Sequence, residues 1–339
     1  MKILITGGAG FIGSELAEYL SQYISLKKNL LIVDNLSNNN LDRIKHLKNK
    51  ITFIKHDVKK IGQKSLKGVD WIIHASAIAP LPDNQVSHYM SLQENVSQCG
   101  AIVDCCIRDG VKNILFLSSS AIYETTKGIL HENSVKQPIL MYPLSKYLSE
   151  KYFESITKSY DLNVVCLRLA NVYGRNQSYN RKQPPLHGYL IKNILFNKKS
   201  TLYARGNFKR DYIFIDDLSN LINKIICSKK FINKKRIFEQ INVGSGKSYS
   251  VLDFLKIYKK IFHKEVLVKW GNKKEYWNKY KKLYNSKIYF DSSLIKKEVE
   301  KKVKLDLKKI KKLYNWKTEF AIDEGLRECI NYAKKKLIK

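Results

Sequence analysis

The sequence predicts an α/β protein: a doubly wound parallel sheet with a smaller, mixed α/β domain at its C-terminal side. Three observations lead there. Short β-branched runs alternate with amphipathic stretches over the first half, the pattern of βαβ units. The first run enters a glycine turn at Gly7 that opens a helix. After Gly174 the rhythm changes to a polar stretch, 175–188, with Pro184-Pro185, where a second domain is expected to begin.

Taken in order, Lys2 to Thr6 reads as the first strand and Ser14 to Gln22 as the helix after the glycine turn. Leu30 to Asp34, Thr52 to His56 and Trp71 to His74 follow as strands. Asn95 to Asp109 reads as a helix, because Val96, Cys99, Ile102, Val103 and Cys106 make one apolar stripe that can face a sheet. Ile114 to Leu117 and Val164 to Leu167 are strands on either side of a helix at Tyr142 to Tyr160. Ile241 to Val243 can return as one more strand ahead of Gly244-Ser245-Gly246, and Val251 to Phe262 reads as a helix. Residues 264–317 are dominated by Lys, Tyr and Asn, with weak periodicity and no clear element.

Composition narrows the function classes. At 339 residues with 44% hydrophobic and 11% aromatic side chains, the chain carries too much apolar material to be disordered, and one large or two smaller domains are expected. Apolar runs such as Ile3 to Ile5 fall far short of a membrane span, and the N-terminal run enters its glycine turn without the longer apolar region of a signal peptide. The expectation is a cytoplasmic protein with no membrane partner. Six cysteines without a Cys-x-x-Cys pair suit reduced core thiols, and no metal site is expected. The net charge is +32, with 32 basic against 12 acidic residues in 229–339. Such a field attracts phosphates. Only nine of the 62 basic residues are Arg, however, so no specific nucleic-acid partner is expected.

The strand Lys2 to Thr6 runs into Gly7-Gly8-Ala9-Gly10-Phe11-Ile12-Gly13. Glycines 7, 10 and 13 let the backbone turn tightly and approach a pyrophosphate, leaving its charge at the helix N-terminus. Asp34 closes the next apolar strand, where a carboxylate can accept both ribose hydroxyls and repel a 2′-phosphate, which favours NAD over NADP. The same placement also suits a turn-forming Asp before Asn35 and Ser37.

Ser118-Ser119-Ser120-Ala121-Ile122-Tyr123 stands at the end of the fifth strand, and Tyr142-Pro143-Leu144-Ser145-Lys146 lies beyond it. Tyr142 and Lys146 are four apart and share one helix face. Bringing a phenol from a pKa of about 10 toward 7 needs roughly 4 kcal/mol of differential stabilisation. A fixed ammonium is the sort of neighbour that supplies it. Tyr142 would then accept a proton from a sugar hydroxyl as hydride leaves its carbon, a Ser hydroxyl holding the same oxygen.

Together these residues resemble the extended short-chain dehydrogenases/reductases, the NAD-dependent sugar-nucleotide epimerase/dehydratase group. The resemblance also takes in Asp57-Val58, His74-Ala75-Ser76-Ala77, Asn95-Val96, Arg168 to Gly174, Arg210 to Ile213, Asp216-Asp217, Asn242 to Gly246, Asn315-Trp316-Lys317 and Glu324-Gly325-Leu326, in family order across nearly the whole chain. It implies a Rossmann domain that binds NAD, formed by 1–170 plus about 211–245. A nucleotide-sugar-binding domain would comprise about 171–210 plus 246–339. It places Phe11, Ile12, Asn35, Asp57, Val58, Ala75, Ser76, Ala77 and Asn95 along the cofactor, Asn95 near its nicotinamide side, and has Tyr142 and Lys146 bind it as well. It selects Ser119 as the catalytic hydroxyl, with Ser120 second. Asn171 and Arg210 match positions that contact the substrate's pyrophosphate; their plainer readings are a loop-capping amide and a salt bridge to Asp211 or Asp216.

The family's dehydratases and decarboxylases usually carry an acid two positions after the catalytic Ser or Thr, and this chain has Ala121. That favours 4-epimerisation of a nucleotide sugar, a UDP-sugar first, over 4,6-dehydration, decarboxylation or net reduction of a 4-ketosugar. An RNA-binding Rossmann protein is the non-enzymatic alternative. Three departures stand out: Glu124 where the family has glycine after Val-Tyr, Ala79-Pro80-Leu81-Pro82 after the cofactor loop, and Ile295 to Glu298 in place of an Arg-x-Gly-Asp/Glu clamp. Family members pair through the helices expected at Asn95 to Asp109 and Tyr142 to Tyr160, so a homodimer is expected.

Overall fold

All four residues of Ile3-Leu4-Ile5-Thr6 are out of solvent, so this strand is covered on both faces and the chain builds a sheet around it. A computed structural model describes residues 1–23, 29–37, 41–79, 87–124, 126–179, 184–203, 206–232, 234–271 and 301–338. The chain runs β1 (Ile3–Thr6), α1 (Phe11–Leu20), β2 (Leu30–Asp34), β3 (Thr52–Lys55), β4 (Trp71–His74), α2 (His88–Asn95), α3 (Ser97–Asp109), β5 (Asn113–Ser119) and β6 (Gly128–Leu130). It continues with α4 (Met141–Ser159), β7 (Asn163–Leu169), β8 (Asn171–Tyr173), α5 (Leu186–Leu195), β9 (Ser200–Leu202), β10 (Lys209–Phe214), α6 (Ile215–Ile226) and β11 (Phe238–Val243). The described residues close with β12 (Ser248–Ser250), α7 (Val251–Phe262), β13 (Val268–Trp270), β14 (Val303–Leu305), α8 (Lys308–Tyr314) and α9 (Ile322–Leu337).

Seven strands pair in parallel in the order β11-β7-β5-β4-β1-β2-β3. The chain winds outward from β1 to β3, then restarts at β4 on the other side. The carboxyl ends of β1 and β4 therefore border the switch-point crevice at which ligands of open α/β sheets bind. Successive strand residues serve opposite faces: Ile3, Ile5, Leu115 and Leu117 join one core, and Leu4, Ile114 and Phe116 the other. The second core takes Cys99, Ile102 and Cys106 from α3 and Phe153 from α4, so the apolar stripe of the first helix is spent on the sheet.

Smaller pieces sit on this frame. β10 pairs in parallel with β8 and antiparallel with β12, and β14 pairs with β6. Asp211 in β10 binds them together: its buried carboxylate accepts from the amides of Ser245, Gly246 and Leu305 and from the Ser245 hydroxyl. No described helix is long and apolar enough to cross a membrane.

Three expectations need correction. The first helix starts at Phe11, not Ser14, because Gly10 is its N-cap and Phe11-Ile12-Gly13 form its first turn. The helix expected over Asn95 to Asp109 starts at Ser97, and a separate helix, α2, capped by Ser87 through Met90 N–H, ends at Asn95, whose side chain turns to Ile78. The weakly periodic 264–317 stretch contains β13, β14 and α8 among its described residues, while Ile295 to Glu298 lies outside them, as do Pro80, Leu81 and Pro82.

Candidate active site

The crevice is built from the glycine turn upward. Gly7 has φ +65°, and a Cβ there would lie 2.7 Å from Ser76 Cα, so the turn after β1 and the Ala75-Ser76-Ala77 loop after β4 touch backbone to backbone. At Gly13 a Cβ would lie 2.3 Å from the Gly7 carbonyl, which presses α1 against the turn. Gly10 has no side chain to cap α1, and the helix's first turn holds no acid. Its leading amides thus suit a phosphate group.

Asp34 reaches this turn. One carboxylate oxygen accepts from Ala9 N–H (3.0 Å) and the other from Leu36 N–H (2.8 Å), leaving lone pairs for two further donors. Both sequence readings of Asp34 meet in one residue, which shapes the turn and offers acceptors beside it. Exposed Asn35 accepts from Ser37 N–H. Asp57 caps a short 3-10 helix through Lys59 N–H, with Val58 buried behind it.

Asn95 stands behind the cofactor loop. Nearly fully buried, it accepts from Ile78 N–H (2.8 Å) and donates to the Ile78 carbonyl and Ser145 Oγ, which fastens the loop to α4. His74 is buried, bonded to Thr6 Oγ1 at 2.7 Å, and burial pulls its pKa to about 3, so it is neutral scaffolding.

Ser119 ends β5 and accepts from Ala121 N–H, turning the chain into a 3-10 turn over Ser120–Tyr123. Its side chain also stands beside that of Tyr142, in the first turn of α4. Ser118 is withdrawn from chemistry by donating to Glu150, and Ser120 opens the turn, half-buried. Lys146, one helical turn after Tyr142, donates to the Leu117 carbonyl (2.8 Å) and lies over the Phe116 ring. Burial brings Lys146 down to about 8. Burial also raises the Tyr142 phenol, opposed by the nearby Ser119 hydroxyl. In the chain by itself the Tyr142 phenol thus stands above its ordinary value, and the Lys146 ammonium is bonded to the Leu117 carbonyl.

Asn171 opens β8, exposed, and donates to the Asp211 carbonyl (3.1 Å); its register partner Tyr212 is two residues from half-buried Arg210, so both sit at one end of the small sheet. The salt-bridge reading of Arg210 is corrected: Asp216 pairs with Arg175, Asp211 serves backbone amides, and the Arg210 guanidinium lies over Phe208. A cleft of about 200 Å³ beside these strands is lined by Tyr212, Phe214, Lys247, Tyr249 and Asp323, and contains none of Ser119, Tyr142 or Lys146.

A family model described as the NAD dependent epimerase/dehydratase family matches residues 3–244. The chain belongs to this NAD-dependent family. Within it, the chain is 29% identical to an uncharacterized UDP-glucose epimerase of Bacillus subtilis, over 80% of this chain and 86% of that one. It is 27% identical to a UDP-glucuronate 4-epimerase of Thermodesulfobacterium geofontis, over 98% and 96%. The crystal structure of a UDP-glucose 4-epimerase with UDP-glucose from Thermotoga maritima superposes with a TM-score of 0.82 at 26% identity, covering 99% of this chain and 100% of that one. The crevice fits the cofactor for which the family is named: an uncapped helix end, glycines at close approach, and Asp34 beside them.

Two features of this family member escaped sequence reasoning. Arg175 pairs with both Glu15 of α1 and Asp216 of α6. Arg168 and Glu150 pair with neither exposed, and Arg168 also donates to Tyr123 Oη. A charged residue after the apolar run Val164 to Leu167 in β7 was the available signal for the second.

Proposed function

We propose that the chain is an NAD-dependent 4-epimerase of UDP-sugars. The observation that carries this reading is Ser119 beside Tyr142 in a setting where the neighbouring carboxylates are committed. Glu150 is held by Arg168 and Ser118, Glu124 by backbone amides, and Ala121 occupies the position from which an acid would assist elimination. Hydride removal and return, without loss of a substituent, is the chemistry such a set can serve.

When bound, NAD supplies the acceptor and later the donor of the C4 hydride. Tyr142 takes the proton of the C4 hydroxyl and gives it back, and Ser119 holds the same oxygen through both steps. Lys146 keeps a buried positive charge one helical turn away. Gly7, Gly10, Phe11, Ile12 and Gly13 face the pyrophosphate, Asp34 the ribose, Asp57 and Val58 the adenine side, and Ala75 to Ala77 the length of the cofactor. Asn171 and Arg210 hold the substrate's phosphates, and the 4-keto sugar turns between them and Tyr142 before re-reduction.

In this reading 1–170 and about 211–245 bind the cofactor, while about 171–210 and 246–339 bind the nucleotide sugar. β11 completing the main sheet and α6 packing on α1 support that division. The protein works in the cytoplasm as a homodimer. The apolar stripe of α3 is used internally, so the partner face is the outer one, where Tyr89, Leu92, Ile107 and Leu148 of α2, α3 and α4 are exposed. Light scattering at micromolar concentration tests this, and a monomer contradicts it.

Incubation with UDP-glucose, UDP-N-acetylglucosamine and UDP-glucuronate, followed by NMR, tests the activity. Inversion at C4 without net NAD consumption is expected. A 4-keto-6-deoxy or decarboxylated product would overturn the reading.

A further inference from the structure

Glu124 follows the 3-10 turn that carries Ser120, at the position where the family pattern has glycine. Its side chain is turned inward, with the residue 7% exposed. One carboxylate oxygen accepts from Ile139 N–H and from Leu140 N–H, the latter at 2.9 Å. Leu140 is the N-cap of α4, and its side chain cannot cap a helix. Glu124 therefore supplies, from a separate segment, acceptors for backbone donors at the start of the catalytic helix, where negative charge also meets the positive end of the helix dipole.

The chain leaves the site at 124 and re-enters it at 139–140. Between them it makes an excursion that includes β6 among its described residues. Lys146 holds α4 to the Leu117 carbonyl one turn further along, and a tie at the base of the excursion adds a second hold at the first turn itself, next to the turn of Ser119. We propose that Glu124 is a positioning residue for the reaction: it clamps the two ends of this excursion and so fixes the separation of the Ser119 and Tyr142 hydroxyls, which must share one substrate oxygen. This rests on the 4-epimerase reading for its kinetic consequence, while the clamp itself does not depend on it.

Three variants of the full chain test it. Glu124→Ala should lower kcat by roughly 10- to 100-fold while KM and bound NAD stay within about 2-fold, because orientation is lost and binding is kept. Glu124→Gln keeps an acceptor oxygen and should stay within about 3-fold of wild type in kcat. Amide hydrogen exchange at 138–142 should speed up in Glu124→Ala and not in Glu124→Gln. Wild-type kcat in Glu124→Ala, or wild-type protection of the Ile139 and Leu140 amides in it, overturns the proposal. Should the wild type convert no UDP-sugar, the activity reading fails, and the exchange comparison still decides the clamp. If Glu124→Ala does not fold, Glu124→Asp, whose carboxylate is one methylene short of these amides, gives the same comparisons with the same overturning results.

Discussion

The hydroxyl of Ser119 stands beside the phenol of Tyr142 and favours its ionised form, although one residue ends a strand and the other lies in the first turn of a helix. That contact joins the sheet's carboxyl edge to the catalytic helix.

Replacing the phenol tests its role directly. Tyr142→Phe removes the proton acceptor and little volume, so it should keep the fold and the bound NAD and lose roughly 10²- to 10⁴-fold in turnover. Activity within a few-fold of wild type, measured with NAD content matched, would remove Tyr142 from the mechanism.

Asp34 should separate the two nicotinamide cofactors. Asp34→Ala deletes the ribose acceptor together with the charge that repels a 2′-phosphate, so NAD affinity should fall by about 10-fold and NADP affinity by less. Equal losses in titrations of both cofactors would reduce Asp34 to its bonds with Ala9 and Leu36.

The buried Arg168–Glu150 pair should be costly to break and cheap to replace. Arg168→Met leaves a carboxylate that still faces Ser118 and Gln240 but has lost its cation, a loss of about 3–5 kcal/mol in urea unfolding. Adding Glu150→Leu should recover part of that loss. A double variant less stable than Arg168→Met would show that the polar network itself is required.

Asp217 should give stability a pH dependence of definite sign. Burial raises its pKa to about 6, against the amides of Glu319 and Phe320 that favour the carboxylate. The folded state thus holds a proton that the unfolded state has released above pH ~4, and this group's contribution falls as pH rises through about 6. Asp217→Asn should flatten the change in Tm between roughly pH 4 and 7. A wild-type slope in that variant would place the dependence elsewhere.

What could be read in advance follows from range of interaction. β1, β2 and β4 are short apolar runs, and the glycine turn is a local backbone requirement, so both were legible along the chain. The bond of Asn95 to Ile78, just before the break at Val96, was not, because its partner lies on another segment. The same holds for Lys146, whose position after Tyr142 was visible but whose partner, the Leu117 carbonyl, lies on another element. Glu124 read as a departure from pattern, and its use became visible with the amides of 139 and 140 in place.

The pairing of β14 with β6 sets a timetable for synthesis. Strands β1 to β5 come off the ribosome early and can begin to pair among themselves. Gly128 to Leu130 must wait for Val303 to Leu305, a closure across well over a hundred residues, and Asp211 for the amide of Leu305, 94 residues on. The excursion between residues 124 and 139 is therefore completed late. A nascent chain can hold an assembled glycine turn well before it holds a finished catalytic centre.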